Sequence, residues 1–220
     1  MLQLHYFPGN ASLIPHIVLE ELAVPFELRY VDRAVNAQKS AAYLALNPNG
    51  LIPVLADTGS GGEAKPLVLY ETLAICLHLA DTHPGSTLMP PFGSDERAQA
   101  CKRLIWLTNT LQATLIVYFY PERWASDASA IAQVKAHAEA RIGAMLDQLD
   151  AEFARHGGPW LLGDAFGLAD IYAMVLCRWT RGFGRPARDL PHLKPWLDRV
   201  LERPATQRAF ATEKLPPPRV

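Results

Sequence analysis

The sequence has 220 residues, half of them hydrophobic and a fifth charged, which is typical of a globular protein with a sizeable core. The 21 Lys and Arg residues nearly balance the 22 Asp and Glu residues, so nucleic acid is not expected as a principal partner. There is no signal-peptide pattern and no apolar run of the roughly 18 residues that a membrane span needs, which predicts a soluble, cytoplasmic protein without a membrane partner.

The first 82 residues alternate between strand and helix patterns. Residues 2–6 and 26–30 alternate in polarity like half-buried strands, and a helical pattern from Leu13 to Leu22 lies between them. Pro15 is compatible with this helix only in its first turn. The order strand, helix, strand predicts a parallel pair with a crossover helix.

The next elements in the chain are a short helix around 40–44 and two more strands, at 53–56 and 67–70. The turn-rich residues 57–62 predict a hairpin between these strands. A helix from about Glu71 to Thr82 ends this half. The sequence therefore predicts a βαβ–ββα unit at 1–82.

Residues 83–95 are rich in Pro and Gly and are interpreted as a linker, beyond which residues 96–220 are predicted to be all helical. Apolar residues there recur at helical spacing in three stripes. The stripes are Leu104, Leu107, Leu111, Leu115 and Tyr118; Ile131, Val134, Ala138, Ile142, Met145, Leu149 and Phe153; and Leu193, Trp196, Leu197, Val200 and Leu201.

The three cysteines, Cys76, Cys101 and Cys177, are far apart and lie within helical patterns. They form neither a CxxC motif nor a paired Cys/His spacing. Buried, reduced thiols are expected, and no metal site is predicted.

Four segments, taken in order, resemble the cytosolic glutathione transferases. They are YFPGNASLIPH at 6–16, NPNGLIPVL at 47–55, YETLAI at 70–75 and GDAFGLADI at 163–171. The resemblance spans nearly the whole chain and is nearest to the bacterial beta-class pattern. It implies an α/β plus all-α fold, in which a thioredoxin-like domain binds glutathione as co-substrate and precedes an all-helical domain. It also implies a homodimer.

The resemblance assigns the glutathione site to four residues. A cis Ile52–Pro53 bond would present the backbone of Ile52 to the cysteinyl part of glutathione, like an added strand. Glu71 and Thr72 begin a helix, where free N–H groups suit a carboxylate and Glu71 suits an ammonium group. The alternative for Glu71 and Thr72 is plain helix capping.

Gln38 and Lys39 lie where family members often place a residue that reaches the glycyl carboxylate. A solvent-exposed Lys39 is an equal alternative.

One departure from the beta class concerns the reacting thiol. Ala11 stands where the class has a cysteine, so disulfide exchange through an enzyme thiol loses its nucleophile. The thiolate of glutathione then needs a donor, for which Ser12 at the helix start ranks first, Asn10 second and Tyr6 third. The alternative is that Ser12 only caps its helix.

The acceptor site is expected between the domains, lined from the helical one. The beta-class His-Lys pair is replaced by Leu115-Ile116, which makes this wall more apolar. The residues predicted to line a hydrophobic site are Leu115, Tyr118, Phe119 and Trp179, and core packing is the alternative for each.

Asp170 resembles a catalytic acid, but it falls at the third position of a helix whose N-cap would be Gly167. A structural role in capping is therefore predicted.

The function predicted from these residues is conjugation of the glutathione thiolate to a small, hydrophobic electrophile. The alternatives are a glutathione-dependent peroxidase or reductase, and a non-catalytic binding protein of the same fold.

Overall fold

The computed structural model describes residues 1–58, 66–83 and 85–220. They group into two compact units, Met1–Met89 with Glu202–Pro216, and Pro90–Leu201 with Pro217–Val220. The first boundary falls within the predicted linker at 83–95. The return of Glu202–Pro216 to the first unit differs from the expectation that residues 96–220 form a single helical domain.

The first unit contains a mixed four-stranded sheet with the strand order β2-β1-β3-β4. Its strands are β1 (Leu2–Tyr6), β2 (Phe26–Tyr30), β3 (Val54–Asp57) and β4 (Leu67–Tyr70). β1 and β2 are parallel, whereas β1 pairs with β3, and β3 with β4, in antiparallel fashion. This confirms the predicted βαβ–ββα order, although the turn predicted at 57–62 lies mainly outside the described residues.

Helices with buried apolar faces complete the first unit. They are α1 (Leu13–Leu22), α2 (Ala41–Leu44), α3 (Thr72–Thr82) and α9 (Pro204–Thr212), with a 3-10 turn at Ala37–Lys39. Residues 13–19 of α1 are all buried. Pro15 is the third residue of α1, where its missing N–H leaves no helical hydrogen bond unmade, as predicted.

Ionic contacts explain why the last helix belongs to the first unit. The guanidinium of Arg203 donates to both carboxylate oxygens of Glu21 on α1, at 2.6 and 2.8 Å. Arg208 on α9 donates to Glu20 at 2.6 Å. These partners are about 180 residues apart in the chain, so no local pattern announces them.

The second unit is helical, as expected. Its elements are α4 (Asp95–Trp106), a π-helical segment (Leu107–Gln112), α5 (Ala113–Phe119), α6 (Ala128–His156), α7 (Leu168–Trp179) and α8 (Leu193–Leu201), with 3-10 turns at Pro121–Arg123 and Ala187–Asp189. Leu104, Leu107, Leu111 and Leu115 of the first stripe are fully or almost fully buried, whereas its fifth member, Tyr118, is partly exposed. The π segment was not predicted, because a single π-helical turn leaves the three- and four-residue spacing of the apolar residues nearly unchanged.

Asp170 has the structural role predicted for it. One carboxylate oxygen accepts hydrogen bonds at 2.8 Å from the N–H of Leu161 and the indole of Trp196. The other accepts the N–H of the N-cap residue Gly167 at 2.9 Å. The carboxylate thus caps α7 and ties it to α8.

The cysteines are all free thiols. Cys76 and Cys177 are buried, as predicted, but Cys101 is partly exposed because it lies toward the outer face of α4. Within the part of the chain that the structure describes, no helix has both the length and the apolar character to cross a membrane.

Candidate functional site

The turn that joins β1 to α1 contains Asn10 and Ser12, two of the three predicted thiolate donors. Ser12 is fully buried, and its hydroxyl is enclosed by this turn. It accepts the N–H of Phe7 at 3.2 Å and lies 3.1 Å from the carbonyl of Phe7 and 2.7 Å from Oδ1 of Asn10. The single hydroxyl proton therefore already has two acceptors inside the protein.

The side chain of Asn10 is oriented by two donors from Ser12. Its Oδ1 accepts the backbone N–H of Ser12 at 2.8 Å as well as the hydroxyl. Because a backbone N–H can only donate, the oxygen of the amide is assigned by this contact. Among the described residues, Nδ2 of Asn10 has no hydrogen-bond partner, so its donors are free for a ligand.

The N–H groups at the start of α1 are unequally available. Those of Ser12, Leu13 and Ile14 are bonded to Asn10 Oδ1, Asn10 O and Ala11 O. The N–H of Ala11 has no partner within the described chain. Two adjacent free donors, at Asn10 and Ala11, thus lie at the N-terminus of a helix, where the backbone dipoles favour negative charge.

Tyr6, at the end of β1, contacts other rings. It meets Tyr30 and His16 edge to face, with centroids 5.9 and 6.4 Å apart. Burial, with the charge of Glu213 as the next cause, raises the pKa of the Tyr6 phenol. Tyr6 therefore stays protonated near neutral pH, and only its neutral hydroxyl is available to a ligand.

The segment before β3 has the backbone geometry predicted for it. The Ile52–Pro53 peptide bond is cis. The side chain of Ile52 packs against the cluster of Val31, Tyr43 and Val54. In the described structure neither the N–H nor the C=O of Ile52 has a hydrogen-bond partner. An anchored side chain with a free backbone suits antiparallel pairing with an extended peptide.

Two residues that hold this segment were not predicted as site residues. The hydroxyl of Tyr43 and Nδ2 of Asn47 both donate to the carbonyl of Leu51, at 3.0 and 2.9 Å. Oδ1 of Asn47 accepts the N–H of Asn49 at 3.0 Å. Asn47 is 2 % exposed, so its amide is an internal brace of the turn before Ile52. The Asn-Pro dipeptide at 47–48 is the sequence signal that could have found it.

The start of α3 is open to a ligand. Glu71 is its N-cap residue, with φ 70°, and no side chain caps the helix in the described structure. This counts against the plain capping alternative. The Glu71 carboxylate is exposed and has no ion-pair partner among the described residues. Thr72, 8 % exposed, supplies the first helical N–H and a hydroxyl without an intramolecular partner in this part of the chain.

Lys39 and Gln38 lie beside the turn that precedes Ile52. Nζ of Lys39 donates to the carbonyl of Asn49 at 3.1 Å, so its ammonium is held at this turn. Gly50 has a φ of 60°, and a Cβ atom there would lie 2.9 Å from the backbone carbonyl oxygen of Gln38, which explains glycine at this position. Gln38 contacts Asn36 at 3.5 Å, and its Oε1 is buried with no partner among the described groups.

Three of the four predicted acceptor residues form an aromatic cluster within the second unit. Phe119 contacts Trp179 and Tyr118 edge to face, with centroids 6.3 and 5.2 Å apart. Tyr118 also packs against Phe183 at 4.2 Å. Phe119 is 44 % exposed. Leu115, in contrast, is fully buried in the core of this unit, because it continues the apolar stripe, and it does not contribute to an exposed wall.

Comparisons with known proteins agree on one family. Residues 11–82 match the model of the glutathione S-transferase N-terminal domain, and residues 108–204 match that of the C-terminal domain. Glutathione S-transferase 3 of Zea mays is 34% identical, with 91% of this chain and 89% of that protein covered. Glutathione S-transferase GstA of Escherichia coli O157:H7 is 29% identical, with 97% of this chain and all of that protein covered.

A solved structure shows the same likeness in three dimensions. A glutathione transferase homologue from Sulfitobacter, crystallised with bound glutathione, superposes with a TM-score of 0.86. It is 28% identical, and the match covers 98% of this chain and 99% of the other.

Proposed function

Because this chain is an enzyme that belongs to the glutathione S-transferase family, we propose that it conjugates the thiolate of glutathione to small, hydrophobic electrophiles. The observation that carries the proposal is the backbone of Ile52, which has no hydrogen-bond partner among the described residues. Because Val54 pairs with Tyr70, Pro53 and Glu71 lie at the same end of the β3–β4 pair, and Glu71 begins a helix without a side-chain cap. An extended tripeptide with a carboxylate at each end and a central thiol matches this combination.

Glutathione is placed by residues of the first unit. The cysteinyl N–H and C=O pair with the backbone of Ile52, next to Pro53. The γ-glutamyl α-carboxylate receives the N–H and hydroxyl of Thr72, and its ammonium pairs with Glu71. Lys39, with Gln38 beside it, receives the glycyl carboxylate.

The thiolate is stabilised chiefly by Asn10 rather than by Ser12. The hydroxyl of Ser12 is buried and bonded within the turn, whereas Nδ2 of Asn10 and the N–H of Ala11 are free. A hydrogen bond to a charged acceptor contributes about 1.5–3 kcal/mol, which corresponds to lowering a thiol pKa by one to two units. Ser12 then acts by holding the amide of Asn10 in place.

The electrophile is accepted by the aromatic cluster of Tyr118, Phe119 and Trp179. Partly exposed aromatic rings suit hydrophobic and aromatic substrates. We propose no metal for the reaction, since the thiolate of glutathione is the nucleophile.

The test is a panel of steady-state assays with an aryl halide, a hydroperoxide and a mixed disulfide, each with glutathione. Conjugation of the aryl halide at the highest kcat/KM is expected. A dominant rate with the hydroperoxide or the disulfide would reassign the enzyme as a glutathione-dependent peroxidase or reductase. Calorimetry provides the binding arm: no heat from millimolar glutathione with folded protein would contradict the site itself.

The assembly proposed for the enzyme is a two-fold homodimer, and its proposed location is cytoplasmic, both by the family resemblance. A monomer mass in light scattering at micromolar concentration would contradict the dimer.

A further inference from the structure

A buried carboxylate from the end of the chain lies against the active-site turn. Glu213 follows α9 and is 4 % exposed. Its Oε2 accepts the backbone N–H of Gly9 at 2.8 Å, and its Oε1 lies 2.8 Å from Nδ1 of His16 on α1. Gly9 immediately precedes Asn10, so this contact is made one residue before the side chain whose Nδ2 has no partner among the described residues.

The partner of Glu213 on α1 is equally buried. The side chains of His16 and Glu213 are both 0% exposed. Because a carboxylate only accepts, the proton of this contact lies on Nδ1 of His16. Among the described residues, Nε2 of His16 has no partner. Burying these two polar groups has a large desolvation cost, and no core-packing need explains it, since an apolar pair of similar volume would fill the space.

The backbone conformation at residue 9 favours glycine. Its φ is 71°, a backbone conformation that residues with a side chain rarely adopt. A Cβ there would lie 3.3 Å from Cδ2 of Leu215. Glu213 and Leu215 together therefore cover Gly9, one through a hydrogen bond and the other through packing.

Among the described residues, three polar links connect α1 with the end of the chain, and one of them also reaches the turn. Arg203–Glu21 and Arg208–Glu20 join helix to helix on partly exposed surfaces. Glu213 also bonds the turn at Gly9. Of these three links, only the one made by Glu213 bears on the position of the turn.

We propose that Glu213 is a positioning residue for catalysis, which holds the turn at residues 9–12 so that the donors of Asn10 and Ala11 face the sulfur of glutathione. The inference rests on the proposed role of Asn10. Its physical basis is that a charge-assisted hydrogen bond to the N–H of Gly9 fixes the Pro8–Gly9 peptide plane, one peptide unit before Asn10. A donor must be held to within a fraction of an ångström to stabilise a charge that develops beside it.

The test compares Glu213→Ala and Glu213→Gln with Glu20→Gln, which breaks an ionic link between the same two helices without touching the turn. For Glu213→Ala we expect the pKa of bound glutathione, measured by thiolate absorbance, to rise by about one unit and kcat near neutral pH to fall about tenfold. The KM for glutathione should change less than about threefold, because Ile52, Glu71 and Thr72 are untouched.

Glu213→Gln keeps the shape of the side chain and one acceptor for Gly9, so it should fold and recover part of the loss. Glu20→Gln should match the wild type in kcat, KM and bound-thiol pKa. The inference is overturned if both Glu213 variants keep the wild-type values, or if Glu20→Gln changes them as much.

Amide hydrogen exchange at Gly9 supplies a readout that does not depend on activity. Exchange should be faster in both Glu213 variants than in the wild type and in Glu20→Gln. If the wild type neither binds nor conjugates glutathione, the proposed function fails. If the amide of Gly9 exchanges at the wild-type rate in Glu213→Gln, the positioning role of Glu213 fails, whatever the outcome for the proposed function.

Discussion

The hydroxyl of Ser12 lies 2.7 Å from Oδ1 of Asn10, and this contact assigns the oxygen of the amide while Nδ2 has no partner among the described residues. The two candidates for stabilising the thiolate are thus parts of one arrangement. Ser12 is the inner, orienting member and Asn10 the outer one.

Replacing Asn10 is expected to affect the reacting thiolate directly. Asn10→Ala should raise the pKa of bound glutathione by about one to two units and lower kcat/KM near neutral pH about tenfold to a hundredfold. Ser12→Ala should cause a loss of less than about tenfold, because Oδ1 keeps the backbone N–H of Ser12. The measurement is the pH dependence of kcat/KM. A larger shift in Ser12→Ala than in Asn10→Ala would return the donor role to Ser12.

Tyr6 is expected to contribute little. Since burial and Glu213 raise the pKa of its phenol, Tyr6 remains neutral over the working pH range and adds no ionisation to the profile. Tyr6→Phe should leave the pH profile of kcat/KM within about 0.3 units of the wild type. If the pH profile instead moves as far as in Asn10→Ala, the hydroxyl of Tyr6 donates the hydrogen bond to the sulfur of glutathione.

Glutathione affinity should depend on the start of α3. Thr72→Val removes the hydroxyl from a buried position, and loss of a hydrogen bond to a carboxylate, about 1.5–3 kcal/mol, should weaken binding about tenfold to a hundredfold. Calorimetric titration with glutathione measures this effect. Thr82→Val, at the other end of the same helix, is the matched control and should bind like the wild type.

Two buried thiols should make the protein less stable at alkaline pH. Burial raises the pKa of Cys177 to about 12 and raises that of Cys76 well above its usual range. Each thiol stays protonated in the folded state and ionises in the unfolded state above its ordinary pKa. The unfolded state then binds fewer protons, so the free energy of unfolding falls by about 1.4 kcal/mol per pH unit for each thiol above roughly pH 9.

Urea unfolding at several alkaline pH values would measure this slope. Cys76→Ala and Cys177→Ala should each make it shallower, whatever their effect at neutral pH. Equal slopes in the wild type and in both variants would contradict the assignment.

The cap at Asp170 should be one of the costliest positions to change. Asp170→Ala leaves three N–H donors without their acceptor, at about 1 kcal/mol or more each, so a loss of about 3 kcal/mol or more in the free energy of unfolding is expected. Asp198→Ala, which breaks an exposed pair with Lys194, should cost less than about 1 kcal/mol. Similar losses of unfolding free energy for Asp170→Ala and Asp198→Ala, measured by urea unfolding, would contradict the structural role of Asp170.

The sequence by itself determined the local elements and the segments proposed to bind glutathione. Strands β1, β2 and β4 have the predicted bounds because alternation of polar and apolar residues is a local property of the chain. The capping carboxylate of Asp170 was predicted for the same reason, whereas the cis bond before Pro53 was implied by the family resemblance.

Only the tertiary structure decided which side chains of the active-site turn are free. The burial of Ser12 depends on how the turn folds back on Phe7, which no spacing in the sequence specifies. The contact of Glu213 with Gly9 and His16 joins residues about 200 positions apart. A buried contact between a carboxylate and an imidazole leaves no periodic pattern in the sequence. It forms only when α9 packs against α1, so it is a property of the assembled fold.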